Sequence, residues 1–185
     1  MEIVNIPKPK ERVLAYNEAH EFTRRVPTFL TPKQRERDSK IVKQIIHAGD
    51  VEGDMQKVKD IFFAKCHLLS DPLYWEVLRS VWVLCGKTEN ADEFRPMFLS
   101  SRRAKSWFMT PEDKEYLDSL DYPVTLHRAY SKEPDEGISW TNDLDWCMKY
   151  AKDRGRKIKT RTFEREDIYA YISRRGESEF IILNE

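Results

Sequence analysis

The chain has 185 residues, of which 40% are hydrophobic and 35% charged, with 32 basic and 32 acidic side chains and a formal net charge of zero. That balance suits one ordinary domain, or a domain with an extension, and excludes a disordered chain. A net charge of zero speaks against constitutive nucleic-acid binding driven by long-range attraction, while leaving room for a local basic patch.

The start, MEIVNIPKPKER, carries no apolar stretch after its basic residues, and no apolar run approaches a membrane span. A cytoplasmic protein without a membrane partner is therefore expected. Residues 11–26 place Ala15, Ala19, Phe22 and Val26 at helical spacing, and Pro27 limits that helix. Thr31-Pro32 is a cap followed by a first-turn proline. The helix it opens is expected to stop at Ala48-Gly49, with Ile41, Val42, Ile45 and Ile46 facing a core. A third helix covers about 55–69. Asp71-Pro72 caps a fourth over 73–85, in which Trp75, Leu78, Trp82 and Cys85 share a face. Residues 94–99 read as a short helix or turn. Thr110-Pro111-Glu112-Asp113 opens another helix, ending near Leu120.

From Pro123 the pattern changes to strands. Val124, Leu126 and Arg128 fall on one parity, and Thr125, His127 and Ala129 on the other. Residues 138–141 form a second short strand. Asn142 or Asp143 caps a helix with Leu144, Cys147, Met148 and Ala151 inward. Residues 157–163, 168–172 and 178–183 read as three more strands. The fold class is thus α+β, with a helical part preceding small sheets.

Three short patterns carry chemistry. Glu177 and Glu179 stand at i and i+2 in a strand, on one face and roughly 7 Å apart, a spacing that separates their titrations and suits acid/base roles. Read alone, a charged strand end in solvent is the plainer description of them. Arg128 lies in a strand of alternating apolar residues; its planar fork suits a pyrophosphate, and a structural ion pair would satisfy it as well. In Gly137-Ile138-Ser139-Trp140-Thr141 the glycine permits close approach, Ser139 and Thr141 share a face, and Trp140 lies opposite. An ordinary polar strand is the plainer reading of that stretch alone. His127, on the parity opposite to Arg128, reads as a packing or surface residue.

Other chemistry has little support. Cys66, Cys85 and Cys147 are odd in number and widely spaced, so neither a disulfide framework nor a structural zinc is expected. His20, His47, His67 and His127 are scattered without ligand spacing, so no metal is expected. Cys66 and His67 are helix neighbours whose side chains diverge, which leaves a buried inert thiol.

In combination, and in this order, Arg128 in TLHRAY, Ser139 in GISWT, and Glu177 and Glu179 in RRGESEFII resemble the arginine–serine–glutamate class of ADP-ribosyltransferases. From about Asp71 onward the chain is similar to a family of small bacterial and phage proteins of that class, with 1–70 as a helical extension and 71–185 as the catalytic domain. The resemblance implies a split β-sandwich with a cleft for NAD, used as substrate without a metal. It implies that Arg128 holds an NAD phosphate or ribose, that Ser139 orders the site with Thr141 and Trp140 nearby, that Glu179 stabilises the oxocarbenium centre, and that Glu177 orients or deprotonates the acceptor. It further implies transfer to a protein arginine or to an RNA or DNA base, and a toxin-like role in which an antitoxin or inhibitor protein could bind the helical part. An NAD glycohydrolase and a non-enzymatic binding module on the same fold are the alternatives. Ala129 stands where such enzymes commonly carry glycine. The strip 152–161, KDRGRKIKTR, holds six basic residues in ten; it reads as a solvated edge strand or as a docking edge for an acidic acceptor.

Overall fold

A computed structural model describes residues 30–85, 91–131, 137–174 and 177–183. The helix expected over 11–26 lies outside the described residues. The chain combines helices and strands, with a helical part first and small antiparallel sheets after it. It falls into two compact units. Residues 30–85 join Arg102–Trp107 in one, and 91–101 join 108–183 in the other. The helix 71–85 thus groups with the helices before it.

In the first unit, helix α1 spans Pro32–Ile46. Thr31 caps it: its hydroxyl accepts from the Gln34 amide at 3.3 Å, and Gln34 Oε1 accepts from the Thr31 amide at 3.0 Å. Ile41 and Ile45 are buried at a spacing of four residues. The helix does not stop at Gly49. It runs on through a π-helical turn, His47–Val51, and the chain reverses at Gly53, whose φ is +67°. Asp54 then caps α2, Met55–Lys65, accepting from the Lys57 amide at 2.9 Å. A 3₁₀ turn, Cys66–Leu68, leads to α3, Asp71–Cys85. Trp75, Leu78, Trp82 and Cys85 are all buried there.

Two polar contacts hold this unit. Asp38 lies in the charged early stretch of α1, KQRERDSK, yet it is buried; it accepts from the Ser70 amide at 3.1 Å and the Ser70 hydroxyl at 2.5 Å. Arg102 donates to the carbonyls of Leu69 at 2.8 Å and His67 at 3.0 Å and to Asp71 Oδ1 at 3.0 Å. Its guanidinium also lies 4.6 Å from the Tyr74 ring centroid. These bonds satisfy carbonyls that the 3₁₀ turn would otherwise leave open.

The second unit begins with α4, Ala91–Phe98, and α5, Pro111–Asp118. Strand β1 is Val124–Tyr130, β2 Ser139–Trp140, β3 Lys157–Phe163, β4 Ala170–Arg174 and β5 Glu177–Ile181, with α6, Leu144–Asp153, between β2 and β3. β1 and β3 form one antiparallel sheet; β2, β5 and β4 form the other in that order. Leu126 from β1, Phe163 from β3, Trp140 from β2, Tyr171 from β4 and Phe180 from β5 meet in one apolar cluster. Residues of both sheets therefore close on a shared core. On α6, Cys147 and Ala151 pack on Ala129. Leu144 is 42% and Met148 46% exposed, contrary to the inward placement expected for them.

Asp113 ties α5 to the second sheet. It completes the capping box with Thr110 and accepts from the Ser173 amide at 2.9 Å and the Ser173 hydroxyl at 2.6 Å while only 1% exposed. Asp113→Ala removes these bonds and leaves the partly buried donors of Thr110 and Ser173 without their carboxylate acceptor. A destabilisation of about 2–4 kcal/mol is expected, read as a lower urea midpoint at unchanged slope. A change below about 0.5 kcal/mol, the scale of ordinary surface substitutions, would show that Asp113 is not the anchor of this helix.

Candidate active site

Strand β1 alternates as its sequence predicts. Leu126 enters the apolar cluster, and Ala129, on the opposite parity, packs against α6. Arg128 shares the parity of Leu126 and is 3% exposed. A guanidinium so far from water needs acceptors. One is the Ser139 carbonyl, to which Nη1 donates at 2.6 Å. The group also fills the space in front of Gly137. A Cβ at that position would lie 1.2 Å from Nη2 and 1.9 Å from Cζ. The glycine is required by close approach, and what approaches is the arginine side chain.

Residues 139–141 belong to both sheets. Ser139 pairs with Ile181 and Trp140 with Phe180. One residue later the chain turns to the other sheet: Thr141 pairs with His127 through two backbone bonds of 2.7 and 2.9 Å. The point of divergence brings Arg128 against the Ser139 backbone. It also sets Ser139 on the face of β5 that carries Glu179, because Ser139 lies opposite Ile181 and Glu179 is two residues from Ile181. That diagonal spacing is roughly 7–8 Å between backbones. Glu179 is half-buried and faces Ile172 of β4 across the ladder. Glu177 occupies the same strand, with Arg174 as its backbone partner; its side chain lies outside the described residues.

Two residues expected near a ligand have other tasks. Trp140 is 2% exposed, on the face opposite Ser139, with its ring 5.0 Å from that of Phe163 at 72°. It is a core residue, and its indole N–H has no hydrogen-bond partner among the described residues. Thr141 is buried, and its hydroxyl accepts from the Asp143 amide at 3.1 Å. Asp143 in turn caps α6 by accepting from the Trp146 amide at 2.8 Å. Thr141 thus shapes the turn out of β2. His127 is buried, with Nδ1 2.9 Å from the Thr160 hydroxyl, and is a packing residue.

A polar group on the other face of β5 was not foreseen. Ser178, between the two glutamates, has its hydroxyl 3.1 Å from that of Tyr171, and the Tyr171 and Tyr116 rings lie 4.4 Å apart. Burial pushes the Tyr171 hydroxyl above its ordinary pKa. The alternation of β5 carries Ser178 to this face, but nothing local in sequence names a tyrosine seven residues earlier as its partner.

The thiols offer no nucleophile. All three cysteines are free and buried. Burial pushes Cys66 and Cys147 up, with Arg102 and Arg128 respectively opposing the shift. No group of three or more potential metal ligands occurs among the described residues, and no described helix is long and apolar enough to cross a membrane.

Two outcomes follow. At pH 7 the folded chain should leave its three cysteines unreacted with Ellman's reagent over minutes, and denaturant should release all of them; rapid labelling of any one in the folded chain would contradict its burial. Gly137→Ala should expel the Arg128 guanidinium and cost about 1–3 kcal/mol through the lost charge-assisted bond. A crystal structure of the variant with Arg128 still on the Ser139 carbonyl would refute the cradle. No protein-family model, curated protein or solved structure matches the chain.

Proposed function

We propose that the second unit is a mono-ADP-ribosyltransferase domain of the arginine–serine–glutamate class, with the corresponding split β-sandwich and NAD as donor substrate. The observation that carries the reading is the shared segment 139–141, which couples Arg128 to the Ser139 backbone and sets Ser139 on the Glu179 face of β5.

The chemistry follows from the charges. Breaking the bond between the nicotinamide nitrogen and ribose C1′ returns the electron pair to the ring, so nicotinamide leaves neutral and a cationic sugar centre remains. A half-buried carboxylate near that centre stabilises it more than one in open water would. Glu179 takes this role. A nucleophile of the acceptor then bonds to C1′ and gives up a proton, for which Glu177, two residues away along the same strand, is the candidate base. Ser139 orders the face beside Glu179. Arg128 acts first on the protein: it holds the first residue of β2, whose carbonyl takes one of its five donors. Any hold on an NAD phosphate is additional to that contact.

The test is incubation with NAD labelled in its adenylate part, together with protein and nucleic-acid fractions. The native chain should label a macromolecule, and Glu179→Ala should lose about 100-fold or more of that rate while keeping its unfolding midpoint. Free ADP-ribose without macromolecular label would assign water as the acceptor. NAD left intact by the native chain would refute the reading.

A further inference from the structure

The chain is neutral overall, but residues 144–162 hold seven basic side chains against the two carboxylates of Asp145 and Asp153. The structure gives this excess a shape. On α6, Trp146 and Tyr150 stand four residues apart and stack nearly parallel, with centroids 5.1 Å apart and planes 11° off. Trp146 is 39% exposed. At the other end of the row, the Arg154 and Arg156 guanidinium groups lie 4.7 and 5.3 Å from the Tyr150 centroid. The turn through Gly155, whose φ is +60°, brings both arginines back to that ring. Strand β3 follows directly. Its only strand partner among the described residues is β1; Lys157, Lys159 and Arg161 recur along it on the parity of Leu126 and Arg128, the sheet face away from α6.

An aromatic pair left partly in water is costly unless something covers it. A flat stacked pair flanked by cations matches a partner with planar rings joined by regularly spaced anions. We infer that the surface of α6 and the turn after it binds single-stranded nucleic acid, with a base stacking on Trp146 and phosphates meeting Lys149, Lys152, Arg154 and Arg156. A duplex fits less well, because its bases are already stacked on one another. An acidic protein segment would satisfy the charges and leave the parallel rings unused. The binding inference stands on these residues alone. Its extension, that the bound strand is the acceptor of ADP-ribose, rests on the transferase reading above.

The experiment is fluorescence anisotropy of the full chain with a labelled single-stranded RNA of about 20 uridines, without NAD, across a salt series. Engagement of four phosphates predicts a slope of log affinity against log salt of about −3. Trp146→Ala should weaken binding about tenfold or more, and the double variant Arg154→Glu, Arg156→Glu should weaken it further and flatten the slope. Lys149→Glu with Lys152→Glu provides a second probe that leaves the aromatic pair untouched, with circular dichroism confirming that each variant is folded. Absence of binding, indifference to Trp146→Ala in a folded variant, or displacement by poly-glutamate as readily as by unlabelled RNA would overturn the inference. NAD turnover is measured separately. RNA binding without turnover would support the surface while the transferase reading fails, and turnover without RNA binding would do the reverse.

Discussion

The second unit depends on one short piece of backbone that cannot belong wholly to either sheet. Residues 139 and 140 take their ladder partners from β5, and residue 141 takes its partner from β1. Buried backbone groups must be paired, so the divergence is possible only because a second strand receives the chain at the point where the first releases it. The side chains agree with the ladder. Trp140 is buried among residues contributed by β1 and β3 as well as β4 and β5. Apolar burial and hydrogen bonding thus select the same geometry, as a well-specified fold requires. Arg128, Ser139 and Glu179 inherit their relative placement from that geometry.

Buried polar contacts outrank surface ion pairs in holding the two units. Lys40 and Glu36 form an ion pair with both side chains about 70% exposed, which is worth little in water. Asp38 and Asp113 are nearly sealed, and each accepts from both the amide and the hydroxyl of a serine. A carboxylate in such a place is tolerated because its oxygens are matched, and each of these two joins a helix to a distant stretch of chain.

Local signals were legible because their partners are local. The caps at Thr31 and Thr110 lie within three residues of the groups they satisfy, and strand parity put Leu126 and Trp140 in the positions they occupy. Gly49 misled because a glycine marks a helix end only where the backbone turns left-handed, and that turn comes at Gly53. Leu144 and Met148 misled because an amphipathic stripe says which residues are apolar without saying that all of them are covered. Asp38 and Asp113 were unreadable as buried groups: their partners stand 32 and 60 residues away. For the site, the sequence pointed to the three strands that supply Arg128, Ser139 and Glu179. That Arg128 would be spent first on the protein's own backbone is a property of the sheets' divergence, which no single strand encodes.

The contact between Arg128 and Gly137 also limits how this chain can change over generations. The guanidinium occupies the volume that any side chain at 137 would need, so the two positions cannot drift independently. A larger residue at 137 either displaces the guanidinium or follows a shortening at 128, and both routes remove the support of the Ser139 carbonyl. The lineage must therefore cross a weakened intermediate whichever change comes first. Such a barrier keeps both residues in place through their mutual fit, irrespective of what either one touches in a ligand.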